Sequence, residues 1–175
     1  RAAETYALAA DQGMDDGVEW YRYARSLEMS GEPDLSTYVT AYRLLLQQDP
    51  HNQYVEPVKE RLIDSAVPFD YAEAVAGNYT EGALLVATGT IARVKRGLVE
   101  SGVDTLLVDT KPHDWFGYLG DAVRIVAPRH SRYQSGEVVT AIGWYDGWCD
   151  INDGAGLSRR YPCIVAAGVL PVNEQ

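Results

Sequence analysis

The sequence predicts an α+β chain in two parts, α-helical hairpins over residues 1–67 followed by a five-stranded β-barrel over residues 68–175. Three observations carry this prediction. Apolar residues recur with a helical period up to about Ala66, Pro68 ends that period and it changes from 3.6 to 2 soon after, and Leu84 to Gly97 reads as a strand with Gly89 in its middle. A glycine inside a strand marks a bulge or tight bend. A small closed barrel needs one where a single strand serves both halves of the wall.

At 175 residues the chain has the length for one large domain or two small ones, with a core that needs no cofactor. The net charge is −10, so nothing global attracts polyanions, which counts against a constitutive nucleic-acid binder and against an anionic membrane surface. There is no run of about 18 apolar residues to span a membrane. The chain opens on Arg1 inside a helical pattern, so an upstream portion is expected, and a signal peptide could have been removed with it.

The helices follow in order. Ala3, Tyr6, Ala7 and Ala10 form a stripe that ends at Gly13, and Trp20, Tyr23, Ala24 and Leu27 form a second that ends at Gly31. Pro33 and Asp34 open a third helix with Leu35, Val39, Tyr42, Leu45 and Leu46, closed before Asp49-Pro50; a fourth carries Val55, Val58, Leu62 and Ala66. Of their charged residues, 6 are basic and 12 acidic, as on a solvated surface. The first pair of helices, with its AA-x-x-G turn and closing Leu and Gly, resembles the Sel1-like repeat, and AYRLLLQQDPHN is similar to the end of a tetratricopeptide unit. The resemblance implies a scaffold that binds other proteins on a concave face. A small helical bundle with no partner is the alternative.

After one helical turn at Tyr71 to Ala76, strands are expected at Ala83–Arg96, Thr105–Thr110, Ala122–Ala127, Val138–Tyr145 and Cys163–Leu170. Five strands separated by glycine-bearing loops suggest an OB-type barrel. YAEAVAGNYTEGALLVATGTIARV, GEVVTAIGWYDG and YPCIVAAGVLP resemble the first, fourth and closing strands of bacterial OB-fold domains of the tRNA-anticodon-binding type, over Tyr71 to Pro171. The resemblance lies in spacing and glycines, so it speaks for fold and hardly for function. It departs from the family between the third and fourth strands, where Arg129 to Gly136 is too short for the usual helix.

The most distinctive local chemistry is Arg124, Arg129, His130, Arg132 and Tyr133, a basic cluster in an acidic chain, with Lys95 and Arg96 at the end of the first strand. Arginine beside an aromatic group suits a phosphate, a carboxylate or a single-stranded nucleic acid on an OB face, and Trp115 in the loop after the second strand offers a stacking surface. Balancing charge for the acidic helices is the alternative. Trp144, Tyr145 and Trp148 read as packing residues at least as well as ligand platforms.

Asp146, Asp150, Asn152 and Asp153 hint at a calcium loop, but Gly154 stands where a ligand is required; no metal or cofactor is expected. No nucleophile-and-base pair or phosphate-cradling glycine loop is present, and the chain is expected not to be an enzyme. Cys149 and Cys163 flank Asp150 to Pro162, read as the loop joining the last two strands. A disulfide is expected there, hence a periplasmic or secreted protein; two free thiols in a cytoplasmic protein are the alternative. The leading functional expectation is a non-enzymatic adaptor that binds another protein through its helices, in a bacterial envelope or secretion system. The alternative is a single-stranded nucleic-acid or oligosaccharide binder, which uses Lys95, Arg96, Trp115, Arg124, Arg129, His130, Arg132 and Tyr133 on the barrel.

Overall fold

The computed structural model describes residues 2–97, 102–111, 121–128, 133–152 and 158–172, and the chain divides into two compact units, Arg1–Ser65 and Ala66–Gln175. The first unit holds the helices α1 (Ala2–Asp11), α2 (Gly17–Met29), α3 (Leu35–Gln48) and α4 (Val55–Ser65), each packed against the next. Local chemistry sets their ends. Asp16 caps α2 by accepting from the Val18 and Glu19 amides at 2.7 and 3.2 Å, and Asp34 caps α3 by accepting from the Ser36 amide at 2.9 Å. Each such cap contributes about 1 kcal/mol. Gly31, just beyond α2, has φ of +83°, the left-handed conformation that ends a helix at low cost only for glycine.

Tyr38, Ala41, Tyr42, Leu45 and Leu46 of α3 form the centre of this unit's core, with Ala24 from α2 and Val58 and Leu62 from α4. The α2–α3 approach depends on Gly17, where a Cβ would stand 2.7 Å from the Leu45 amide nitrogen. One polar network joins three helices. The Glu28 carboxylate accepts from the Tyr38 hydroxyl at 2.8 Å, from Arg25 Nη1 at 2.6 Å and from Arg61 Nε at 2.8 Å.

The second unit contains β1 (Val67–Pro68), α5 (Tyr71–Val75), β2 (Leu84–Arg96), β3 (Val103–Asp109), β4 (Ala122–Pro128), β5 (Val138–Asn152) and β6 (Ser158–Pro171). They form one six-stranded sheet in the order β1-β2-β3-β4-β6-β5, and β2 also pairs with β5. Pairing therefore runs from β2 through β3, β4, β6 and β5 and returns to β2. The β4–β6 pair is parallel and the other pairs of this circuit are antiparallel. The long strand β2 makes the closure, because Leu84–Thr90 pairs with β5 while Thr90–Arg96 pairs with β3. Gly89 sits beside the changeover, where a Cβ would lie 2.3 Å from the Asp109 carbonyl oxygen. Leu85, Ile91, Leu106, Ile125, Val139 and Ile164 fill the interior from all five strands of the circuit.

Two expectations are corrected. Among the described residues six strands are present where five were expected, because Val67–Pro68 adds a parallel edge to Leu85 and Val86. Two residues are too few to show a period, and a proline is tolerated at a sheet edge. The segment Asp150–Pro162, expected as a loop, is mostly strand: Trp148–Asn152 pairs with Ser158–Pro162 as an extended arm of β5 and β6. Asp150, Arg159 and Arg160 on this arm are exposed while Pro162 is buried, so burial gathers at its base and does not alternate along it. The expected disulfide is present at its base, joining Cys149 to Cys163 with Cα atoms 5.8 Å apart.

Candidate functional site

A one-residue irregularity in β2 determines where the basic residues go. Leu85, Ala87 and Ile91 face the interior, but the register slips between Ile91 and Arg93, and beyond the slip it is Val94 that packs against the core. A bulge exchanges the two faces of a strand. It therefore sends Arg93 and Lys95 outward. Cross-strand register then assembles two rows on the outer face: Arg93, Leu107 and Arg124 in one, and Lys95, Thr105 and Val126 in the next. Arg93 and Arg124 are two strand spacings apart, about 10 Å between backbones.

Lys95, Arg96, Gly97, Thr105, Arg124, Asp150 and Ile151 line a cleft of about 200 Å³. Three of the residues singled out from sequence thus meet in one place, although Arg124 lies on a different strand from Lys95 and Arg96. Their charges are not equivalent. Arg96 donates from Nη1 to Asp104 at 2.6 Å and from Nη2 to the Tyr133 carbonyl at 2.8 Å, so its charge is matched by a carboxylate that is fully buried. Arg124 is different. Its Nε is buried and donates to no acceptor among the described residues. Opposite these groups, Asp150 stands 3.8 Å from Arg160 Nε, in a pair exposed enough to be weak.

Tyr133 takes a packing role in place of the expected ligand contact. Its ring belongs to the interior cluster, 3 % exposed, and its hydroxyl donates to the Pro128 carbonyl at 2.8 Å. The reason is position: Tyr133 lies five residues beyond Pro128, within reach of the last carbonyl of β4, and an aromatic ring there fills the end of the core. Tyr145 also packs in this cluster, against Tyr79 with ring centroids 5.6 Å apart, and its hydroxyl is pushed above its ordinary pKa, first by burial. Trp115, Arg129, His130 and Arg132 lie outside the described residues.

No family model matches the chain, and no curated protein matches it. Among solved structures, it is similar to the crystal structure of a small single-stranded DNA-binding protein from Streptomyces coelicolor. The two are 16% identical with a TM-score of 0.38, over 54% of this chain and 97% of that one. Likeness at that level carries no argument, and the cleft stands on its own geometry.

Arg93, Thr105 and Ile151 were not singled out from sequence, and Asp150 stood out only as a member of a calcium-loop candidate. Arg93 was within reach, since it lies two residues before Lys95 in the same strand and so shares its face. The place of Asp150 beside Lys95 and Arg124 was hidden by the reading of its segment as a loop. Chemically, the cleft offers an ammonium and a guanidinium from β2 and β4, a hydroxyl from β3, and a carboxylate beside an apolar residue from β5. Among the described residues no group of three or more His, Cys, Asp or Glu stands together as metal ligands would.

Proposed function

We propose that residues 66–175 are an OB-type barrel that binds single-stranded nucleic acid, without catalysing a reaction, across the outer face of β3 and β4. The observation that carries this is the buried Arg124 Nε, without an acceptor among the described residues, in a cleft shared with Lys95. Nε itself is enclosed, so a ligand would be met by the Nη groups of the same guanidinium, and a phosphate oxygen is an acceptor that a guanidinium holds strongly. The circuit of pairing, with one long strand shared by both halves, supports the barrel assignment. OB barrels bind oligonucleotides and oligosaccharides on the face of their second and third strands, beside the loops after the first and fourth. Here β3 and β4 are those strands, and Gly97 and Asp150–Ile151 are the residues that lead into those connections. Cations favour the nucleic acid over a neutral sugar.

The disulfide supports an oxidising compartment, so the polyanion is one met outside the reducing cytoplasm. On this reading the four helices are a repeat-type appendage. The adaptor reading, with a protein partner on the helices, has no residue cluster among the described residues to carry it.

Fluorescence anisotropy with end-labelled dT20 tests the proposal. Binding is expected at low salt, with affinity falling as salt rises. Lys95→Met and Arg124→Met together, which keep the side-chain stems in place, should weaken it and lower the salt slope by about 1.4, the release expected for two single-strand phosphate contacts. Absence of binding at low salt, or a double variant indistinguishable from the parent, would overturn it.

A further inference from the structure

We infer that Asp150 reads the base of the nucleotide in this cleft and selects guanine, an inference that rests on the nucleic-acid reading above. A carboxylate on the wall of a polyanion site is a contradiction unless the ligand also brings hydrogen-bond donors, because phosphate oxygens only accept and like charges repel. Asp150 is such a carboxylate. It lines the cleft with Lys95 and Arg124, and its ion pair with Arg160, at 3.8 Å and with both side chains 67% exposed, leaves most of its accepting capacity open. The division of labour follows from placement. Lys95 on β2 and Arg124 on β4 meet the backbone phosphate, while the Asp150 carboxylate on β5 meets the base at its edge.

The size of the cleft agrees with one reading position. About 200 Å³ is smaller than an ordinary small-molecule pocket and leaves room for a single base. The edges of the four bases then differ in what they show a carboxylate. Guanine offers N1–H and the N2 amino group side by side, two parallel donors for two carboxylate oxygens. Adenine and cytosine place a ring nitrogen lone pair beside their amino group. Thymine places a carbonyl on each side of its single N–H. Only guanine satisfies both oxygens without setting a lone pair against them, and a bidentate contact of this type discriminates by about five-fold or more.

The test uses the full chain and four labelled 12-mers: dT12, and dT12 with one central dG, dA or dC. The dG oligonucleotide is expected to bind at least about five-fold more tightly than the other three. Asp150→Asn should erase that preference while dT12 binds equally well or better, since a negative charge is removed. Equal affinity for all four oligonucleotides overturns the inference and leaves the nucleic-acid reading standing. So does a dG preference that persists in Asp150→Asn, or a uniform gain for all four with the preference intact, as expected if Asp150 serves only Arg160. If none of the four binds at low salt, the nucleic-acid reading itself falls.

Discussion

Arg96 and Asp104 form an ion pair of unequal exposure: Nη1 lies 2.6 Å from Oδ2, the carboxylate is fully buried, and about half of the arginine side chain meets solvent. Asp104 also accepts from the Gly97 amide at 3.1 Å, so one buried carboxylate holds the end of β2 and the first residue after it. Removing the two partners should therefore have unequal effects. Arg96→Met removes the cation that balances a buried negative charge and should lower unfolding free energy by about 3 kcal/mol. Asp104→Asn frees an arginine that can turn to water, and should cost about half as much. Urea unfolding of the two variants checks the order; equal losses would show that the carboxylate is held mainly by other donors.

Gly143 and Gly136 make a second contrast. A Cβ on Gly143 would lie 2.2 Å from the Val165 carbonyl oxygen, with backbone on the far side that cannot swing away, whereas Gly136 has nothing within 4 Å and only its φ of +91° to protect. Gly143→Ala should lower stability by about 3 kcal/mol or prevent folding. Gly136→Ala should cost about 1 kcal/mol. Thermal melts followed by circular dichroism measure both.

The Cys149–Cys163 bridge spans a sequence separation of 14, which corresponds to about 3 kcal/mol of loop-closure stabilisation. Guanidinium unfolding with and without reductant should show a loss of that order. Because the bridge lies at the base of the β5–β6 arm, hydrogen exchange on reduction should rise in Trp148–Asn152 and Ser158–Pro162 more than in β3. A uniform rise would locate the effect in the unfolded chain alone.

The helical unit has its own pH signature. Burial first, and then the hydrogen bond to Glu28, push the Tyr38 hydroxyl up from 10.0 to about 12. The folded protein holds this proton more tightly than the unfolded chain, so its contribution is complete below pH 10 and is lost as pH rises toward 12. Glu28 moves the other way. The Tyr38 hydroxyl and then Arg61 hold its carboxyl below its ordinary 4.5, so that contribution is present above this value and is lost as pH falls through the folded pKa. Tyr38→Phe should flatten both limbs of the stability profile, with about 2 kcal/mol less change between pH 10 and 12. Absorbance at 295 nm should locate the tyrosine titration directly.

Helices and the longer strands were legible because their burial is periodic: Tyr42, Leu45 and Leu46 recur as a helix face, and Leu85, Ala87 and Ile91 as a strand face. The caps at Asp16 and Asp34 and the stop at Gly31 follow from side-chain chemistry that local sequence displays. What was hidden is what has no periodic burial. The edge at Val67–Pro68 is two residues long, and the exposed arm of β5 and β6 is held by its ladder and its disulfide. The candidate site was partly legible for the same reason. Lys95, Arg96 and Arg124 stood out as cations, but their meeting point depends on register between strands. Tyr133 illustrates the limit from the other side, since an aromatic among arginines suggests stacking and only the fold shows its ring enclosed in the interior.

The slip between Ile91 and Arg93 makes the outer charge of this face a matter of counting, not of composition. With Ala92 kept in step and no slip, plain alternation would turn Arg93 and Lys95 toward the oily interior and bring Val94 out to solvent, with every one of those three residues unchanged in kind; deleting Ala92 takes out the extra residue and leaves all three facing as they do. The side of the strand on which these cations stand is set by one extra residue and not by what they are.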